Sequence, residues 1–138
     1  MTAYVDASVL LRLALSQPDA LGDWSKIRRG VASALVVTES LRTLDRLRLR
    51  GALNDRDLAQ SRATILAFAG SLELVEVDAI VLDRAGQPMP TELGTLDAIH
   101  LATALLWKET ADDTLVMATH DEALATAARA HGLAVVGV

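Results

Sequence analysis

Three times along this chain a short apolar run leads to a carboxylate and passes directly into a helical repeat, and this grammar restricts the fold more than any other feature. Thr2 to Val5 leads to Asp6, and then to Val9, Leu10 and Leu13 at helical spacing. Val31 to Val37 leads to Glu39 and an amphipathic segment carrying Leu41, Leu44 and Leu47. Thr114 to Ala118 leads to Asp121 and a helix over Glu122 to His131, closed by Gly132, with Leu133 to Val136 as a final strand. Strands that alternate with helices in this way predict a parallel α/β sheet.

The intervening segments fill in around that frame. A helix is expected over Asp19 to Arg29, and a second is bracketed by Asn54 as N-cap and Gly70 at its C-terminal end, with Leu58, Ile65, Leu66 and Ala69 facing inward. Leu72 to Val77 reads as a third strand, followed by a short helix from Asp78 and a loop punctuated by Gly86, Pro88, Pro90 and Gly94. From Thr95 to Lys108 the chain is helical and apolar around most of its circumference, so this helix should be central and largely buried, with Asp97 in its first turn. No repeat or low-complexity linker interrupts the 138 residues, which predict a single domain over 1–138. Hydrophobic residues are 51% of the chain but aromatics only 3%, so the core is built from Leu, Val, Ile and Ala.

Composition removes several chemistries. The absence of cysteine excludes a disulfide framework, a thiolate nucleophile and a cysteine zinc site, so any metal must rest on oxygen or histidine. No stretch reaches the roughly 20 apolar residues of a membrane span, and Asp6 and Arg12 break the first apolar segment, which has no basic leader; a cytoplasmic location is the expectation. A net charge of −5 speaks against holding nucleic acid by a blanket of phosphate contacts. It leaves room for a nucleic-acid enzyme whose acids are gathered in one metal pocket, because a bound cation inverts the local field.

In a parallel sheet, residues just beyond the C-terminal strand ends share one edge, and ligands bind in the crevice there. Asp6, Glu39 and Asp121 all follow strands in this reading, whereas Asp97 follows a loop and its arrival at that edge does not follow from topology. Two carboxylates about 4 Å apart repel by roughly 4 kcal/mol at an effective dielectric of about 20, so a cluster of them calls for a cation. All-oxygen donors favour a hard ion, Mg²⁺ or Mn²⁺. Equally, an aspartate at a strand-to-helix junction is an ordinary N-cap contributing about 1 kcal/mol. That alternative suits Glu39 and Asp97 less well, since Glu is a poor N-cap and Asp97 lies inside its helix.

With "YVDASVLLRLAL" at the start, "VVTESLRTL", "GTLDAIHLATAL" and the closing "MATHDEALATAARAHG", the chain resembles the PIN-domain family, and within it the VapC-type toxins of bacterial toxin–antitoxin pairs. The four segments span nearly the whole chain in the family's order. The resemblance implies a three-layer PIN-like domain, a twisted parallel sheet with helices on both faces. It also implies Mg²⁺ or Mn²⁺ held by Asp6, Glu39, Asp97 and Asp121, with Asp121 in the least defined place, either a direct ligand or a holder of water. Ser8 and Thr119 match polar positions of the opening and closing motifs, where a hydroxyl can steady a carboxylate or cap a helix turn.

Arg42 and Arg46 lie one and two turns beyond Glu39 and could offer guanidinium groups to RNA phosphate, or pair locally with Glu39 and Asp45. His100 lies one turn beyond Asp97; metal-activated water requires no histidine base, and His100 stays outside the catalytic set. The reading is an endoribonuclease toxin with an RNA substrate and, as the resemblance implies, a VapB-type antitoxin partner and a homodimer. A metal-dependent phosphatase of a small molecule and a PIN-like binding module without catalysis are the alternatives. Haloacid-dehalogenase-like phosphatases require a second Asp where Ser8 stands, and response-regulator receivers a Lys where Ala118, Thr119 and His120 stand.

Overall fold

The computed structural model describes residues 1–112 and 114–138. Its strands are β1 (Thr2–Val5), β2 (Arg29–Ser33), β3 (Glu73–Val75), β4 (Val116–Ala118) and β5 (Ala134–Val136), and they pair in parallel in the order β3-β2-β1-β4-β5. β1 is central, with Ala3 in register with Gly30 on one side and Val116 on the other. The helices are α1 (Ala7–Ala14), α2 (Leu35–Leu49), α3 (Asp55–Gly70), α4 (Ala79–Ala85), α5 (Thr95–Thr110) and α6 (Glu122–Ala130).

Successive side chains of a strand point to opposite faces, and β1 is buried on both. Ala3 and Val5 pack with Val9 and Leu10 of α1, Val36 and Leu44 of α2, and Ile65 of α3. Tyr4 enters the other core, with Leu101 and Leu105 of α5, Met117 of β4, and Leu124 and Ala127 of α6. Each fully buried leucine contributes roughly 1.5–3 kcal/mol relative to exposure. The result is the three-layer arrangement expected, helices covering both faces of a parallel sheet.

Three expectations are corrected, the simplest being Leu66, which is exposed because the inward stripe of α3 runs through Leu58, Ile65, Phe68 and Ala69. The segment Asp19 to Arg29 is not a helix: it holds one 3₁₀ turn, Trp24–Lys26, and its last residue already belongs to β2. Ser16, at φ 51°, turns the chain out of α1 ahead of Pro18. Leu21, Trp24 and Ile27 then pack against the first core, with the Trp24 ring edge-on to Phe68 at 5.3 Å. The apolar run Val31 to Val37 also divides, β2 stopping at Ser33 and α2 starting at Leu35, whose N–H donates to Ser33 Oγ at 3.2 Å. Glu39 therefore lies one turn inside α2, not at a strand-to-helix junction.

The chain builds β1, β2 and β3 outward in one direction, then crosses back to place β4 on the other side of β1. This reversal leaves a crevice beyond the C-terminal ends of β1 and β4, with Asp6 following one strand and Asp121 close behind the other. Tyr4 ties the floor of that edge together. Its hydroxyl accepts from the Ser33 N–H at 3.0 Å, at the end of β2, and meets His100 Nδ1 of α5 at 2.7 Å. Tyr4→Phe should lower the unfolding free energy by about 1–3 kcal/mol, because the buried Ser33 N–H loses its partner. Urea denaturation measures this, and a change under about 0.5 kcal/mol would show that the phenol oxygen is dispensable.

Candidate active site

Asp6 is the most constrained of the four acids. Only 5% exposed, it caps α1 by accepting from the Val9 N–H at 3.3 Å through Oδ1. The same oxygen accepts from Ser8 Oγ at 2.6 Å, and Oδ2 accepts from Thr119 Oγ1 at 2.7 Å. Each hydroxyl also accepts: Ser8 Oγ from the His120 N–H at 2.9 Å, and Thr119 Oγ1 from the Asp121 N–H at 3.0 Å. Two hydroxyl groups thus stitch the β1–α1 junction to the β4–α6 junction through one carboxylate. Gly137 closes the rim behind them; its φ is +110°, and a Cβ there would stand 2.3 Å from the Thr119 carbonyl oxygen.

Asp121 is the N-cap of α6, Oδ1 accepting from the Leu124 N–H at 2.8 Å. Capping and a place at the crevice are compatible, since Asp6 and Asp121 each commit Oδ1 to the helix. Asp97 is in the first turn of α5, half-buried, and that helix is capped by Gly94 without a side-chain bond. Glu39 approaches from α2 and gives Oε1 to His100 Nε2 at 2.6 Å. Sequence reasoning set His100 aside, yet it is 1% exposed and bonded to one of the four acids. The available signal was its spacing, three residues past Asp97 on the same helical face.

The electrostatics bring the four acids together. Burial holds the Asp97 carboxyl above its usual range, and the charges of Asp121, Asp6 and Glu39 push it further. Asp6 is likewise raised, by burial against the opposing hydrogen bonds from Ser8, Thr119 and Val9. Carboxylates from α2, α5 and two strand ends therefore share one field with no basic side chain bonded to Asp6, Asp97 or Asp121 among the described residues. Among those residues no three His, Asp or Glu side chains close into a cage able to hold an ion as they stand. Mg²⁺ does not need such a cage: it keeps several waters and uses one or two carboxylates together with substrate phosphate. Hard oxygen donors with uncompensated negative charge fit a hard divalent cation.

Arg42 donates to Asp45 Oδ2 at 2.9 Å and Arg46 to Thr43 Oγ1 at 3.0 Å. Both line an open groove with Leu35, Thr38, Glu39, Thr43 and the exposed Leu96. No helix among the described residues is long and apolar enough to cross a membrane.

Residues 3–136 match the PIN domain. The chain belongs to the PIN-domain family. It is 38% identical over 136 residues to Ribonuclease VapC46 of Mycobacterium tuberculosis, covering 96% of this chain and 95% of that one. It is 32% identical over 138 residues to Ribonuclease VapC35 of the same species, covering 96% and 94%. Its fold is also that of VapBC2 from Rickettsia felis, solved bound to a DNA fragment from their promoter, with a TM-score of 0.64 at 14% identity over 98% of this chain and 97% of that one.

The raised carboxyls have a stability consequence in the metal-free PIN domain. Below the unfolded value of about 3.9 both folded and unfolded Asp6 are protonated, and the group costs nothing. As pH rises from the unfolded value toward the raised folded one, the unfolded chain ionises first and stability falls, levelling off once the folded carboxyl has also ionised. Asp6→Asn removes that loss, so in EDTA the variant should gain on the wild type as pH rises from about 4 toward neutrality. Urea titrations across this range measure the difference; one that does not change with pH would contradict an uncompensated Asp6.

Proposed function

We propose that this PIN domain is a VapC-type endoribonuclease, the toxin of a toxin–antitoxin pair, and that Asp6, Glu39, Asp97 and Asp121 hold Mg²⁺ or Mn²⁺ for phosphodiester hydrolysis. The observation that carries the reading is the joining of Asp6 and Asp121 through Thr119 Oγ1, with Asp97 near enough that, after burial, the charges of Asp121, Asp6 and Glu39 raise its carboxyl. Four acids from four elements share one edge in a chain 38% identical to a ribonuclease. When bound, such a cation acts as a Lewis acid toward phosphoryl oxygens and makes water nucleophilic at neutral pH.

The chain's own contribution is placement. Ser8, Thr119 and the Val9 N–H fix both oxygens of Asp6 before any ligand arrives, so little reorganisation is needed on binding. Asp97 projects from the first turn of α5 and Asp121 from the cap of α6, leaving their remaining lone pairs to the crevice or to ordered water. RNA would run along the α2 groove, where Arg42 and Arg46 exchange their local partners for phosphate; guanidinium groups suit that geometry, and the exchange costs little because Arg42 is solvent-exposed. A VapB-type antitoxin would cover the same edge with an Arg or Lys set against the carboxylates. The toxin would act in the cytoplasm, as a homodimer that sets two such edges side by side.

Asp97→Ala should reduce Mn²⁺-dependent cleavage of total cellular RNA by more than about 100-fold while leaving the fold intact, since losing even an outer-shell partner costs 10–100-fold. Expressed without its genomic neighbour, the wild type should arrest growth and Asp97→Ala should not. Arrest or cleavage that survives in Asp97→Ala would overturn the assignment. Release of phosphate from small monoesters without RNA cleavage would favour a phosphatase instead.

A further inference from the structure

Glu39 differs from the aspartates in how it is held. Asp6 and Asp121 are fixed by capping their own helices, whereas Glu39 stands inside α2 on a longer side chain that no backbone N–H of the described residues restrains. A carboxylate on such a stem loses rotamer freedom when it binds anything. His100 spans the distance from α5, with Nε2 2.6 Å from Glu39 Oε1 and the ring sealed at 1% exposure. Behind it, Nδ1 lies 2.7 Å from the Tyr4 hydroxyl, and that hydroxyl accepts from the Ser33 N–H at 3.0 Å.

The proton positions follow from this order. A carboxylate only accepts, so His100 Nε2 carries hydrogen and donates it to Glu39 Oε1. In the neutral ring Nδ1 then accepts the phenol hydrogen, while the phenol oxygen accepts from the Ser33 N–H. The line starts at a backbone amide of β2 and ends on a carboxylate of α2. The sheet thereby sets the ring's orientation and the ring sets the carboxylate's.

We propose that His100 is a positioning residue that fixes Glu39 for the cation, so that one turn of α5 supplies Asp97 directly and orders Glu39 through an imidazole. The inference rests on the reading of Glu39 as a cation ligand. Outer-shell hydrogen bonds of this kind are worth 10–100-fold in metal affinity. The Asn amide at this position overlays Nδ1 and keeps a partner for Tyr4, whereas the longer Gln amide reaches the place of Nε2 and keeps a donor for Glu39.

The test is calorimetric titration of Mn²⁺ into the RNA-free protein, with thermal melts of each variant. His100→Asn should weaken Mn²⁺ binding by about 10–100-fold, while His100→Gln should stay within about threefold of the wild type. On a Glu39→Gln background neither change should weaken binding further, because the ring acts through the carboxylate. If Glu39→Gln weakens Mn²⁺ binding but His100→Asn does not, the positioning role is overturned and the ligand reading stands. If Glu39→Gln itself binds Mn²⁺ as the wild type does, the ligand reading falls, and the proposal with it. Equal losses in His100→Asn and His100→Gln, or an undiminished loss on the Glu39→Gln background, would show a packing role only. Should His100→Asn not fold, His100→Leu carries the same expectation; failure of both to fold would mark the histidine as structural and overturn the proposal.

Discussion

A carboxylate buried at the C-terminal end of the central strand of a parallel sheet is the constraint on which this structure depends. Asp6 follows the central strand at the point where the chain reverses its direction across the sheet. Burying an ionisable group there is tolerable only if its oxygens are satisfied. Ser8, Thr119 and the Val9 N–H satisfy them, and the two hydroxyls carry the bonding on to the His120 and Asp121 amides. Fold closure and site geometry are thus the same set of hydrogen bonds. Removing either hydroxyl would loosen the carboxylate and the seam between β1 and β4 together.

That satisfaction is geometric and not electrostatic. Hydrogen bonds lower the cost of ionised Asp6, but burial still prevails and its carboxyl is raised. The same holds at Asp97, where three neighbouring acids add to the effect of burial. Salt bridges are plentiful elsewhere, for example Arg29 with Glu73 and Arg84 with Glu109, and there the acids are lowered. Charge is paired on the surface, whereas in the crevice four acids face a single imidazole, that of His100. Such a local departure from stability is expected where a protein reserves a place for a ligand.

Much of this was legible in the sequence because strand-to-helix junctions carry strong local signals. Asp6, Asn54 and Asp121 are N-caps whose spacing to the next apolar repeat can be read directly, and the all-round apolar pattern after Thr95 marked α5 as buried. The misread segments share a cause. Leu21, Trp24 and Ile27 have helical spacing, yet the chain there has only to return to the start of β2, and packing one face of an irregular segment produces the same spacing. The run Val31 to Val37 hides its break at Ser33 because a buried strand and a buried first helical turn are equally apolar. The line from Ser33 through Tyr4 and His100 to Glu39 joins four residues of β2, β1, α5 and α2, and no periodicity encodes it.

The most direct test of the central claim is crystallographic. Crystals grown with Mn²⁺, measured near the manganese absorption edge, should show an anomalous peak within coordination distance of Asp6 and of at least one of Glu39, Asp97 and Asp121, at the crevice between β1 and β4. An ion bound only at other surface carboxylates, or no peak at that edge in crystals that hold manganese elsewhere, would contradict the account.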